Sequence, residues 1–207
     1  MRTILLAISL SLPVFDRVQA ADSSPREHAV ENGFGIVRGP GYAFFLKAPE
    51  GWVIDAVSGV DQGLPAVFYP KGATWSESPA VAYARARPKT KSVSSVEETV
   101  MSAVETLRAQ GNPDYSSKFL KKIRTSDGIE GMIYRFSGAK TGDIEATVYF
   151  VEKRTIDLVT LSCRSEKVFE SALPAFEQLA ASYQFQPDKI PVDPNKQGFY
   201  QDAPPKD

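Results

Sequence analysis

The middle of the chain alternates between apolar and polar positions in a way that is typical of β-strands. From residue 80 to residue 87, alanines occupy every second position, while Val81, Tyr83 and Arg85 face the opposite way. Similar short segments predict further strands at 43–47, 52–54, 66–69, 118–124, 131–137, 145–152 and 156–163. The last four are joined by short links, and parallel strands would need much longer crossovers. They are therefore predicted to form an antiparallel meander.

Two segments have apolar residues at helical spacing. Ser95 followed by Glu98 has the form of a capping box, and the stripe that follows predicts a helix over 96–110. A second stripe predicts a helix over 166–183, in which Pro174 predicts a kink or a late start. The buried face of this second helix is expected to consist of Phe169, Leu173, Phe176, Leu179, Ala180 and Tyr183. Together the elements predict an α+β domain.

The ends of the chain differ in composition from this central part. Residues 1–20 are predicted to be a signal peptide, with Arg2 before a short apolar run and small residues preceding a cleavage point at Ala21. The apolar run is shorter than the roughly 20 residues that a membrane-spanning helix needs. Residues 21–40 are predicted to be a flexible arm, 41–186 a single domain, and 187–207 a proline-rich disordered tail.

The charge and the apolar segments of the sequence limit the expected compartment and the expected classes of partner. A formal net charge of −1 gives no indication of a nucleic-acid binder, so nucleic acid is not an expected partner. The signal peptide predicts a periplasmic or secreted product, and no later segment is apolar enough to predict membrane insertion after cleavage. Cys163 is the one cysteine of the sequence, so an intrachain disulfide is impossible.

The order of elements resembles that of a known superfamily. An aromatic strand leads into Ala48-Pro49-Glu50-Gly51-Trp52, and a helix, a four-strand meander and a closing helix follow. The closing segment runs from Phe169 to Glu177 and ends in Ala181-Ser182-Tyr183-Gln184-Phe185. Over about 41–186 this pattern resembles the Mog1/PsbP-like superfamily. The resemblance implies a central antiparallel sheet sandwiched by helices, in proteins that act mostly as accessory modules without a shared catalytic set.

The residues give little indication of catalysis. Cys163 shares strand parity with Val159 and Leu161, which predicts that it points into the core, and His28 is the one histidine. These two residues make neither a nucleophile–base pair nor a zinc site, so no metal and no cofactor is expected. Paired-carboxylate hydrolysis stays open, because such pairs form in space and are not visible as a sequence motif.

Two groups of residues are candidates for a binding surface. The loop after the strand at 66–69 begins at Tyr69 and carries Trp75, and loops held by a rigid sheet often bind ligands. The alternative is that Trp75 folds back onto the domain. The second group is a sheet face bearing residue types enriched in recognition surfaces, and its members are Tyr83, Arg85, Arg135 and Tyr149. The alternative, which is slightly favoured, is an ordinary amphipathic sheet face covered by a helix.

These observations favour a non-catalytic exported module that binds an unknown protein or envelope component. Two alternatives remain from the sequence: a small-ligand carrier with an apolar pocket, and a hydrolase with a carboxylate site. A deep pocket with converging polar groups would favour the carrier. A pair of carboxyls with raised pKa in one cleft would favour the hydrolase.

Overall fold

The computed structural model describes residues 29–31, 33–39 and 42–186. The predicted signal peptide, His28 and the predicted tail at 187–207 lie outside the described residues. Within them the helices are α1 (Val96–Ala109) and α2 (Glu166–Ala181). The strands are β1 (Ala29–Glu31), β2 (Phe34–Gly39), β3 (Tyr42–Lys47), β4 (Trp52–Asp55), β5 (Ala66–Pro70), β6 (Ala80–Pro88), β7 (Ser116–Arg124), β8 (Glu130–Ser137), β9 (Ile144–Val151), β10 (Thr155–Cys163) and β11 (Gln184–Phe185).

An antiparallel sheet of eight strands forms the centre of the fold. Its strands lie in the order β1-β4-β5-β6-β10-β9-β8-β7. The predicted meander is confirmed, because β7, β8, β9 and β10 are antiparallel neighbours in sequence order. The returning strand β10 also pairs with β6 along its full length, from Thr155 opposite Pro88 to Cys163 opposite Ala80. This pairing joins the two halves of the sheet.

A second sheet of three strands, in the order β11-β3-β2, was not expected from the sequence. The prediction of a flexible arm over 21–40 is wrong for the described part of that segment, since β1 and β2 lie in it. Strand β2 pairs with β3 from Phe34 opposite Lys47 to Gly39 opposite Tyr42. It is held because Val37 is fully buried in the main core, so burial of apolar surface stabilises this segment.

One face of the large sheet packs against both α2 and the three-stranded sheet. The alanines of β6 lie on this face, and their small side chains allow close approach. Helix α2 packs against β6, β9 and β10 through its apolar stripe. The core here includes Phe169, Phe176, Leu179 and Tyr183, as predicted, whereas Leu173 is only partly buried at its edge. Cys163 is buried in the same core, which confirms its predicted direction.

The opposite face of the sheet packs against α1. The predicted capping box is present, since the Ser95 hydroxyl accepts from the Glu98 amide and the Glu98 carboxylate accepts from the Ser95 amide. Val96, Val100 and Leu107 of the helix pack with aromatic and apolar side chains of the sheet. The two helices therefore lie on opposite faces of one antiparallel sheet.

The predicted α+β class and central antiparallel sheet are confirmed, but the arrangement is more than a sheet between helices, because the small sheet shares a face with α2. Helix α2 begins at Glu166 and passes through Pro174, so of the two outcomes predicted for this proline, a kink or a late start, the late start does not occur. Pro174 is exposed, and its ring lies on the solvent side of the helix. The helix ends at Ala181, two residues before the predicted end.

Candidate binding site

A cavity of about 80 Å³ lies between α1 and the large sheet. We call it the α1 pocket. Its walls come from alternate residues of β6, β9 and β10, because successive side chains of a strand point to opposite faces. The side chains that line it are Tyr83, Arg85, Arg87, Thr99, Ala103, Tyr115, Phe136, Glu145, Thr147, Tyr149, Leu158 and Thr160.

The strand register explains which of these side chains are neighbours. Thr160 of β10 lies opposite Tyr83 on one side and opposite Thr147 on the other. The hydroxyls of Thr147 and Thr160 are 2.9 Å apart and buried, so one donates to the other, and Tyr149 and Tyr83 are their further partners. The next row places Leu158 between Arg85 and Tyr149. Aromatic rings and cationic groups are thereby held around a small hydroxyl-bearing patch of sheet.

A single carboxyl, that of Glu145, lies among these groups. The hydroxyl of Tyr83 lies 3.5 Å from its Oε1 atom, and the hydroxyl of Tyr115 lies 3.5 Å from its Oε2 atom. Both distances are at the long limit for a hydrogen bond, so the two phenols hold the carboxyl only weakly, while the Ser162 side chain bonds it as well. Burial raises the pKa of Glu145 to about 7, against the opposing effect of Arg85 and with a further rise from the charge of Asp143.

The three tyrosines of the α1 pocket are held in their neutral form. Burial raises the pKa of Tyr83, Tyr115 and Tyr149, and the charge of Glu145 raises each of them further. A phenol in this state donates a hydrogen bond and is a poor nucleophile at neutral pH. The ring of Tyr115 also stacks on Phe136 with 5.9 Å between the ring centroids, which fixes its position.

Two arginines of β6 bring positive charge to the α1 pocket. The guanidinium of Arg85 lies 5.0 Å from the centroid of the Tyr83 ring, a cation–π distance. Arg87 follows two residues later on the same face. Among the described residues, neither guanidinium has a carboxylate oxygen within 4.0 Å. The pocket therefore carries more positive charge than the nearby carboxyl of Glu145 balances.

The structure brings together three of the four candidates from the predicted sheet face: Tyr83, Arg85 and Tyr149. The prediction that Arg135 belongs to this face is wrong. Arg135 lies on the other face of the sheet and donates two hydrogen bonds to the carboxylate of Glu166 in α2, at 2.8 and 2.6 Å. Its guanidinium also lies over the ring of Phe169, at 5.2 Å from the centroid. Arg135 lies on the α2 face because it pairs with Ala146 of β9, and Ala146 is buried in the core on that face.

The loop candidates Tyr69 and Trp75 do not form an exposed surface. Tyr69 is 2% exposed, and its hydroxyl donates to the carboxylate of Asp55 at 2.7 Å. Trp75 is 6% exposed and meets the ring of Tyr83 edge-on, with 6.5 Å between the centroids. Trp75 therefore folds back onto the domain and supports one wall residue of the α1 pocket.

Among the charged and phenolic side chains of the α1 pocket, three were not singled out in the sequence as binding candidates: Arg87, Tyr115 and Glu145. Glu145 and Arg87 share strand parity with Tyr149 and Arg85, so the alternation contains a signal for them. Tyr115 lies between α1 and β7, where no periodicity applies. Its part in the site depends on the chain turn at Asn112, whose side-chain oxygen accepts from the amide of Lys140 at 2.8 Å.

A second group of polar side chains is buried on the opposite face of the sheet. The hydroxyl of Tyr183 lies 2.7 Å from Oδ2 of Asp157 and 3.1 Å from Oε1 of Glu152. Asp157 is 0% exposed, and burial raises its pKa to about 7. The sheet separates this carboxyl from Glu145, so the two do not form a pair that could act on one substrate.

The described part of the chain offers neither a metal-ligand cluster nor a membrane-spanning helix. In residues 29–31, 33–39 and 42–186, no cluster of three or more histidine, cysteine, aspartate or glutamate side chains is placed to hold a metal ion. The helices in these ranges are also too short or too polar to cross a membrane.

Comparison with known proteins finds similarity in structure only. No family model matches the chain, and no curated protein matches it. Among solved structures, the chain is similar to PsbP (CyanoP) of Synechocystis sp. PCC 6803, with a TM-score of 0.47, 16% identity, and coverage of 75% of this chain and 94% of the other. It is also similar to a protein of Bacteroides thetaiotaomicron, with a TM-score of 0.44 and 11% identity.

Both matches cover about three quarters of this chain. The match to the Bacteroides protein covers 77% of this chain but only 50% of that one. One of these two structures is a PsbP, the class of protein that the sequence was seen to resemble. Low identity of this kind carries no argument about activity or partner.

Proposed function

We propose that this chain is a non-catalytic exported module that binds a partner through the α1 pocket. The observation that supports this most directly is the convergence of two arginines, three neutral phenols and one carboxyl on a cavity of about 80 Å³. Sites with a few converging polar groups in an otherwise apolar cavity are the usual place of recognition in a domain.

The size of the α1 pocket favours a partner protein over a carried small molecule. Pockets for drug-sized ligands measure roughly 300–1,000 Å³, several times the cavity found here. A volume of this order accommodates one side chain or one small functional group. We therefore propose that a partner inserts a single group while the surface around the pocket makes the remaining contacts, as in interfaces with a buried anchor residue.

The chemistry of the α1 pocket also favours binding over hydrolysis. General acid–base hydrolysis by carboxyls needs two groups that share one substrate, whereas Asp157 lies across the sheet from Glu145. The phenols of Tyr83 and Tyr115 are held neutral, which favours hydrogen-bond donation over nucleophilic attack. A non-catalytic role is the simplest proposal consistent with this arrangement.

Filling the α1 pocket tests the proposal. Ala103 of α1 lines the cavity, so Ala103→Leu should occupy part of it with little change in stability. Ala109→Leu is the matched control, because Ala109 is exposed on the same helix. A partner captured from an envelope extract by the wild type should be retained by Ala109→Leu and lost by Ala103→Leu. Equal capture by both variants would contradict the assignment of the pocket as the binding site.

Export of the chain can be tested at its N-terminus, separately from binding. The apolar run after Arg2 and the small residues before Ala21 support removal of a signal peptide. Mass spectrometry of the protein recovered from the periplasm or the medium should show an N-terminus at Ala21. Recovery of the exported chain with Met1 intact would contradict the cleavage, and recovery from the cytoplasm alone would contradict export.

A further inference from the structure

The balance of hydrogen-bond donors in the α1 pocket indicates the chemical class of its ligand. Tyr83 and Tyr115 direct their hydroxyls into the cavity, and Arg85 and Arg87 contribute guanidinium groups that cannot lose their protons. The hydroxyls of Thr147 and Thr160 bond each other. The carboxyl that faces these donors is that of Glu145, which meets the two phenols only at the long limit of 3.5 Å and is also bonded by the Ser162 side chain. The pocket is therefore rich in donors and poor in acceptors.

From this geometry we propose that the α1 pocket binds a carboxylate group, held by Arg85 and by the phenols of Tyr83 and Tyr115. This inference rests on the proposed function and specifies the group that the partner inserts. A planar carboxylate matches the fork of an arginine and can accept further hydrogen bonds from hydroxyls. Four donors converge here on a space that fits such a group.

The two arginines weigh against a cationic ligand. An aromatic cage with a carboxylate, such as Tyr83, Tyr115 and Glu145 could form, is a known way to bind an ammonium group. In this pocket, however, Arg85 lies over the Tyr83 ring at 5.0 Å and already uses that face. A second cation would be repelled by both Arg85 and Arg87, since neither has a carboxylate within 4.0 Å among the described residues.

Ionised Glu145 would repel a carboxylate, so binding must be coupled to proton uptake by this residue. The charged and titratable groups around it are Arg85 and Tyr83 from β6, Tyr115 from the loop after α1, Asp143 from the turn before β9, and Tyr149 from β9 itself. The three tyrosines stay uncharged in the neutral pH range, because burial raises their pKa values. Glu145, with a pKa raised to about 7, is thus the group expected to titrate there.

The expected pH dependence has a definite sign and size. A ligand that binds only the protonated pocket loses affinity in proportion to the protonated fraction. With a pKa of about 7 for Glu145, that fraction falls about tenfold from pH 6 to pH 8. A carboxylate should therefore bind about ten times more weakly at pH 8. Glu145→Gln, which imitates the neutral acid, should bind at both pH values with equal affinity.

The experiment is a titration of the full chain followed by NMR at pH 6 and pH 8. The probes are acetate, acetamide as its neutral analogue, methylammonium as a cation, and a short peptide with blocked ends and one glutamate. Acetate should produce saturable shifts of the Tyr83 and Tyr115 ring signals at millimolar concentration, because so small a ligand has few atoms to contribute. Tighter binding of the peptide than of acetate would identify a protein side chain as the source of the carboxylate. The reverse order would identify a free acid.

Matched variants show whether the binding is specific. Arg85→Gln should weaken acetate binding by about tenfold or more, since a charge-assisted hydrogen bond is lost. Arg124→Gln, at the exposed end of β7, is the control and should bind like the wild type. Each variant is first compared with the wild type in its urea midpoint, so that a folding defect is not read as a binding defect.

Three results would overturn the inference in distinguishable ways. Saturable binding of methylammonium that strengthens from pH 6 to pH 8 would make the α1 pocket a cation site and leave it the binding site of the proposed function. Absence of shifts with all probes, together with partner capture that still depends on Ala103, would refute the carboxylate but not the module. Absence of both would refute the carboxylate and the binding function together.

Discussion

Replacing Phe176 by alanine should lower the free energy of unfolding by about 3–5 kcal/mol, the usual loss for a buried phenylalanine. Phe176 is 1% exposed and lies in the core that α2 forms with the alanine-bearing face of the sheet. The alanines of β6 on this face have small side chains, so few atoms can move into the space that removal of the Phe176 ring would leave. A domain is stable by only about 5–15 kcal/mol, so the change should be plain in a urea unfolding curve.

Phe119→Ala is the control, because it makes the same change at a side chain that is 45% exposed on the edge strand β7. Its ring touches Tyr134 edge-on with 5.4 Å between the centroids, a contact worth about 1 kcal/mol. Equal shifts of the urea midpoint in the two variants would show that α2 does not anchor the core in the way described above.

Strict alternation is the part of the sequence that predicted the fold best. In β6 the alanines at even positions and Val81 and Tyr83 at odd positions lie on opposite faces, as the pattern requires. Likewise, the parity of Val159, Leu161 and Cys163 placed all three in one core. Such strands can be predicted from the sequence because each of their faces has a single kind of environment.

The strand β2 was missed because both of its faces bury apolar side chains. Val37 lies in the main core, whereas its neighbour Ile36 packs with Ala43 and Phe45 on the other side of the small sheet. The burial of consecutive residues removes the period of two, and the glycines at positions 35 and 39 weaken the strand signal further. Strand β2 is identified only by its pairing with β3, which depends on the tertiary structure.

The candidate site was only partly predictable for a related reason. Tyr83, Arg85 and Tyr149 share a face because the register of β6, β10 and β9 brings them together. In β8, apolar residues occur at both parities, from Met132 to Phe136, so the sequence did not reveal that Arg135 points the other way. Glu145 has a clear parity, but its raised pKa depends on burial under Tyr115, which no local pattern specifies.

The buried group around Asp157 predicts a pH dependence of stability. The Tyr183 hydroxyl lies 2.7 Å from Asp157 and 3.1 Å from Glu152. One hydroxyl has one hydrogen to donate, so a second hydrogen bond requires a proton on one of the carboxyls. Asp157 is the more deeply buried of the two. Burial raises its pKa to about 7, with the charge of Glu152 adding and bonds from Tyr183 and Thr155 opposing.

The sign of the effect follows from comparing the folded and unfolded chains. An unfolded aspartate has a pKa of about 3.9, so between about pH 4 and pH 7 the folded chain holds a proton at Asp157 that the unfolded chain has lost. Stability from this group is present in full below about pH 4 and is lost as the pH rises through about 7. From pH 5 to pH 8 the expected loss is about 2–3 kcal/mol. Glu145 adds a change of the same sign.

Urea unfolding at pH 5 and pH 8 measures this dependence, and Asp157→Asn isolates its source. The wild type should be less stable at pH 8, and the variant should lose about 2–3 kcal/mol of that difference, whatever its absolute stability, because the amide does not titrate. Asp127→Asn, in the exposed turn between β7 and β8, should retain the wild-type difference. A variant at Asp157 with the full wild-type difference would show that this carboxyl is ionised in the folded chain throughout, and that the Tyr183 contact is an ordinary hydrogen bond to a carboxylate.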